Sequence, residues 1–147
     1  MKKLLLSFSL MMAFSGISFS QKLTANKVPQ VVKDGLKTSH PGVTATWEWE
    51  DANYEANFKE GGKSLSCIVD KGGNILETET MVNYNELPAA AKTYINTHFK
   101  NAKWNEIARI QKAGGEINYE VVRKGEELMF DANGKYLELV KEKKEKD

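Results

Sequence analysis

One cysteine, Cys67, stands in the 147 residues, so no intramolecular disulfide can form and packing alone must hold the fold. Cys67 alternates with Leu65 and Val69 in a strand-like run, which suits a small buried apolar residue. A nucleophilic role would need a basic partner, and the two histidines, His40 and His98, fall at corresponding helix ends with no evident Cys–His pairing. Charge of one sign is also lacking: 21 basic residues face 20 acidic ones. Such a balance argues against nucleic acid, whose phosphates need a basic patch. No nucleophile elbow or triad spacing surrounds Ser64 or Ser66. The glycine pairs Gly61-Gly62, Gly72-Gly73 and Gly114-Gly115 fall between strands, not in a phosphate-binding loop. The catalytic classes that leave motifs are missing, and no enzyme is expected.

Residues 1–20 read as a signal peptide. Lys2-Lys3 form a basic start, Leu4 to Phe14 an apolar run too short to span a bilayer, and Ser18 and Ser20 a small-residue cleavage pattern around Phe19. Cleavage before Gln21, with no cysteine nearby for a lipid anchor, gives a periplasmic or secreted protein without membrane insertion. Loss of Lys2 and Lys3 leaves 19 basic residues against 20 acidic ones, net −1. Residues 141–147 alternate Lys with Glu and Asp and read as a solvated charged tail.

Between these ends the chain repeats itself. Val28-Pro29 is answered by Leu87-Pro88, His40-Pro41-Gly42 by Phe99-Lys100-Asn101, and Tyr54-Glu55 by Tyr119-Glu120. The run from Asp70 to Glu77 is answered by that from Asp131 to Glu138. A repeat of this size points to two copies of one supersecondary unit, 21–84 and 85–140. Each copy opens with a short amphipathic helix whose first position is Pro29 or Pro88. Alternating segments follow: Ala45, Trp47 and Trp49 share one face with Thr46, Glu48 and Glu50 on the other, and turns rich in Gly, Asp and Asn separate this strand from the next ones. The expected fold class is therefore α+β, a tandem repeat of helix plus four-stranded antiparallel meander. The two units would share one continuous eight-stranded sheet with both helices on one face.

These residues resemble a family. Val-Pro before a helix, His-Pro-Gly, a Trp-Glu strand, Tyr-Glu-Ala-Asn-Phe and Asp-x-x-Gly-Asn-x-Leu-Glu look like the PepSY-like, β-lactamase-inhibitor-like (BLIP-like) exported proteins of Bacteroidetes, over about 28–140. The resemblance implies tandem helix-plus-sheet units with a curved, open sheet face. The second copy departs from the pattern where Pro41-Gly42 becomes Lys100-Asn101 and the Trp-Glu strand becomes Asn105-Glu106-Ile107-Ala108.

Two kinds of site are open to such a scaffold. Aromatics on an uncovered face would be contact anchors for a protein, a peptide or an envelope component, and the candidates are Trp47, Trp49, Trp104, Tyr119 and Tyr136. Against this stands a core role, since large aromatics thicken a core that has few helices; Tyr54 and Phe58 are read that way. Alternation alone does not say which face carries Trp47 and Trp49. The alternative function is a calcium- or ligand-responsive periplasmic protein using the Asp-Gly turns, with Asp70, Asn74, Asp131 and Asn133 as ligands. A full calcium loop is absent, and Asx-Gly is ordinary hairpin chemistry. Otherwise no cofactor is expected. The pairs Glu48/Glu50 and Glu77/Glu79 each share a strand face and read as a solvated surface.

Overall fold

The computed structural model describes residues 22–123 and 126–141; the expected signal peptide and the tail beyond Lys141 lie outside the described residues. A single antiparallel sheet of nine strands runs in sequence order: β1 (Lys22–Leu23), β2 (Thr46–Glu50), β3 (Asn53–Glu60), β4 (Lys63–Val69), β5 (Ile75–Met81), β6 (Glu106–Lys112), β7 (Ile117–Arg123), β8 (Glu126–Asp131) and β9 (Tyr136–Lys141). The expected α+β class and the open sheet with helices are found. The strand count is one higher than expected. The extra strand is β1, whose Lys22 and Leu23 pair with Glu48 and Trp47. Two residues are too few to show alternation.

Helices α1 (Gln30–Ser39) and α2 (Ala89–His98) each have ten residues and follow a short 3-10 turn. Pro29 and Pro88 stand one residue earlier than expected, at the N-caps, with extended backbone. A Pro there fixes the entry angle, while its carbonyl accepts the first bond of the helix, from Lys33 N in one case and Lys92 N in the other. The first helix lays Val32 and Leu36 over Trp47, Tyr54, Ala56, Phe58, Cys67 and Val69. The second lays Ala91 and Ile95 over Ile107, Val121, Leu128 and Phe130. Ile107 thus occupies in the second half the place Trp47 holds in the first: one is paired with Val121, the other with Ala56. The aromatic volume absent from that strand is supplied around α2, where Tyr94 stacks on Tyr136 at 4.4 Å and meets Phe130 edge-on at 5.7 Å.

The repeated Asp-Gly turns lock helix to sheet. In the β4–β5 hairpin Asp70 Oδ1 accepts the N–H groups of Gly72 and Asn74 at 2.8 and 2.9 Å, and Asp131 Oδ1 does the same for Asn133 and Lys135, both at 2.9 Å. Gly73 then lies so close to α1 that a Cβ would come within 2.4 Å of the Val31 carbonyl oxygen, and one on Gly134 within 2.6 Å of Ala91 N. Both have φ near +85°, so any side chain there meets strain as well as collision. With both helices pinned to one side, no described helix packs on the other side of the sheet.

Candidate functional site

Register decides which side each strand residue faces. Trp47 pairs with Ala56, which pairs with Cys67; Trp49 pairs with Tyr54, which pairs with Val69. All belong to the helix-covered face. Trp47 is buried at 5 % exposure and Trp49 stacks on Tyr54 at 4.6 Å. Tyr119 shares a row with Phe130, and Tyr136 lies on Tyr94. Trp104, in the loop before β6, meets Phe99 edge-on at 5.9 Å, beside the Arg123 guanidinium. Every aromatic candidate therefore packs on the helix side, and none occupies the open face. The core reading accounts for their positions.

The open face carries carboxylates instead. The row Glu48–Glu55–Ile68–Glu77–Lys112 crosses β2 to β6. Beside it run Ser66–Glu79–Ile110–Asn118, then Met81–Ala108–Glu120–Met129, then Glu106–Val122–Glu127. A solvated surface was expected of Glu48, Glu50, Glu77 and Glu79, and the structure corrects that expectation at Glu77. Glu77, Glu120 and Glu127 are each only 4 % exposed. Alternation gives a shared face but no depth, because depth depends on how far neighbouring strands and side chains close over it. Lys112 is the sole basic residue at the open-face positions of β4 to β8 among the described residues, and its ammonium bonds Glu116 at 3.0 Å.

Crowding has electrostatic consequences. Burial pushes the Glu120 carboxyl up to about 8, helped by repulsion from Glu79, Glu127, Glu106 and Glu77. Burial likewise raises Glu77 to about 7, with Glu79 as the next cause. Glu79, Glu55 and Glu50 are also raised, burial first and neighbouring carboxylates next. Glu120 and Glu77 hold protons near neutrality because ionising them out of water, among like charges, is costly. Oε1 of Glu120 and Oε2 of Glu77 are buried with no protein hydrogen-bond partner. Glu77 also leans on Glu79, and a shared proton would bridge that pair.

The calcium candidates are differently placed. The oxygens of Asp70 are taken by its own turn, including Asn74 Nδ2 at 2.9 Å, and these bonds hold its carboxyl below the usual range. Among the described residues no group of three or more His, Cys, Asp or Glu side chains is placed to hold a metal ion.

A contact that the sequence reading missed joins His40 to Cys67, 27 residues apart. His40 Nε2 lies 3.6 Å from Cys67 Sγ, its Nδ1 lies 2.9 Å from Glu60 Oε2, and Thr78 Oγ1 lies 3.3 Å from the sulfur. Carboxylate, imidazole and thiol stand in the order of a cysteine hydrolase. The sulfur, however, is 0 % exposed, and burial pushes its thiol up from the ordinary range. A nucleophile needs a depressed pKa and access to substrate; this thiol has neither. The cluster reads as a satisfied polar knot at the C-terminal end of α1.

Comparison with known proteins gives this geometry a family. Residues 18–77 and 52–138 match the family described as "Putative beta-lactamase-inhibitor-like, PepSY-like". The chain belongs to that family. A solved protein from Bacteroides eggerthii described as "putative periplasmic", 18% identical, superposes with a TM-score of 0.69 over 78% of this chain and 88% of its own. A BLIP-like protein from Bacteroides fragilis, 24% identical, gives 0.63 over 81% and 89%. Both likenesses concern the fold. A Bacteroides thetaiotaomicron protein described as calcium-regulated and periplasmic is 25% identical over 85% of this chain and 99% of its own, but its TM-score of 0.33 carries no argument. No curated protein matches. Among the described residues, no helix of this PepSY-like protein is long and apolar enough to cross a membrane.

Proposed function

We propose that this protein is an exported, non-enzymatic binding module that engages a protein, a peptide or an envelope component through the open face of its sheet. One observation carries the reading: no described helix covers this face, yet it keeps glutamate side chains at interior-like burial, Glu77 and Glu120 with partnerless oxygens. A scaffold gains nothing from such groups, since replacing them by apolar residues would be neutral or stabilising. The inaccessibility of Cys67 supports the non-enzymatic part. Export is supported by the N-terminal segment and by the periplasmic description of the B. eggerthii neighbour. The family description supports a finer form, inhibition of a hydrolase, by analogy of fold. The calcium-responsive alternative is not favoured.

Site-specific photocrosslinking in the producing cell tests this. A crosslinking residue at Glu55 or Glu106 on the open face should capture a partner, and one at Val31, 48% exposed on the outer side of α1, should not. Capture from Val31 alone would move the binding surface to the helices and end the open-face reading.

A further inference from the structure

The open face offers more than an uncovered surface, because its chemistry restricts what can dock there. From β2 to β8 it extends about 25–30 Å at the usual strand spacing. Its carboxylates lie along that length, with Glu48 and Glu55 towards one end and Glu120 and Glu127 towards the other. Between them stand Ile68, Met81, Ala108, Ile110, Val122 and Met129. A single metal ion does not match this arrangement, since no three acid groups among the described residues converge on one point. An anionic partner would add to the mutual repulsion already present. A ligand with several cationic heads on apolar stems would pair the carboxylates and lay its methylenes on the Ile and Met surface, as Lys and Arg side chains do.

We propose that the open face is a docking site for a lysine- or arginine-bearing polypeptide segment, with the Glu120 carboxyl, whose Oε1 has no partner, as its main anchor and Glu77 as a second. The inference rests on the open-face reading and names the partner's chemistry. Charge complementarity and the length of the acidic surface, which suits about eight extended residues, make a segment the occupant. Docking is coupled to proton release. In the free protein the carboxyls of Glu120 and Glu77 hold protons near neutral pH under the influence of Glu79, Glu106 and Glu127, with Lys112 and Glu116 facing Glu77 at the rim. An arriving cation favours the ionised forms, so the protons leave as the ion pairs form. Affinity must then rise with pH: at pH 6 the proton is held against the cation, and above about 8 it has already gone.

Titration calorimetry on the mature chain tests this, with a twelve-residue peptide alternating Arg with Leu, a Glu/Leu control of equal length, and calcium chloride. Two buffers of different ionisation enthalpy are used at pH 6.0, 7.0 and 8.5. The Arg peptide should bind at least about tenfold more tightly at pH 8.5 than at pH 6.0, since each pH unit below the pKa contributes up to about tenfold, and should release protons at pH 7. The Glu peptide should not bind. Glu120→Gln and Glu77→Gln should each weaken binding by about tenfold or more, the loss of one charge-assisted pair, with melting curves confirming a folded chain. Asp34→Asn, on the exposed side of α1, should leave binding unchanged. Three results would overturn the proposal: no binding of the Arg peptide by the folded protein, binding indifferent to both open-face substitutions, or proton release with calcium and not with peptide. A partner crosslinked from Glu55 alongside any of these would leave the open-face reading standing and remove only the cationic ligand. Absence of crosslinks from both open-face positions would remove the surface itself.

Discussion

On β7, Val121 points towards α2 and the residue before it, Glu120, points away. Both are withdrawn from water, at 0% and 4% exposure. Burying Val121 stabilises the fold by roughly 1.5–3 kcal/mol. Burying Glu120 opposes it, because the carboxyl must stay protonated or sit charged among other carboxylates. The first half shows the same contrast more gently: Tyr54 is buried under α1, while its neighbour Glu55 stays half-exposed. Each repeated Tyr-Glu pair therefore sends an aromatic into the core and a carboxyl into the open face. The stability of this molecule comes from one side of its sheet, and the groups kept at a cost to that stability collect on the other.

The covered side should respond most strongly. Phe130 is fully buried and meets both Tyr94 and Tyr136 edge-on. Its replacement by Ala removes apolar burial and leaves a cavity, which costs about 3–5 kcal/mol. Urea unfolding followed by Trp fluorescence would measure this. A loss below about 1 kcal/mol would mean that the helix-side cluster is not the main source of stability, and the contrast between faces would fail.

Next in size, and opposite in sign, is Glu120→Gln. An unfolded glutamate titrates near 4.5, whereas Glu120 in the folded chain waits until about 8. Below 4.5 both states are protonated and the group is neutral to stability. Between the two values the folded state keeps a proton that the unfolded state has lost, so stability declines as pH rises, by at most about 1.4 kcal/mol per unit. Glu77, raised to about 7, adds a decline of the same sign. Asp70, lowered by its turn, acts in the other direction and below its ordinary value of 3.8, outside this window. Wild-type stability should therefore fall from pH 5 to pH 8. Glu120→Gln should flatten the profile and gain roughly 2–3 kcal/mol at pH 8. A flat wild-type profile over that range would show that the open face imposes no such cost.

How much of this could be read from the chain follows from the range of each interaction. Helices, hairpin turns and the duplication are local, and Pro29, Pro88, Asp70 and Asp131 announce them at fixed offsets. The shared face of Trp47 and Trp49 was also legible, but its direction was not: α1 could have lain on either side until the register from β2 through β4 was known. The candidate site was hidden more deeply. Glu77, Glu79, Glu120 and Glu127 come from three strands in both halves, and only closure of β5 onto β6 makes them neighbours. The repeated Tyr-Glu looked like scaffold because its Tyr is scaffold, while its Glu belongs to the face that the scaffold leaves uncovered.

The smallest effect concerns the polar knot around Cys67 on the covered side. Cys67, His40, Thr78 and Glu60 hold one another within 3.6 Å, so unlike Glu120 the buried polar atom here has partners. Satisfied groups should behave as structure. Cys67→Ala should lower stability by only about 1 kcal/mol, the scale of one small buried side chain with its hydrogen bond. In the native protein the thiol should resist an aromatic disulfide reagent and react at the rate at which the fold opens, with urea accelerating reaction and unfolding together. The contrary result is just as definite. A native thiol that reacts quickly at pH 7, slowed by His40→Ala and by Glu60→Gln, would be an activated nucleophile. The covered face would then hold a second site, and the division between a stabilising side and a functional side would no longer describe this molecule.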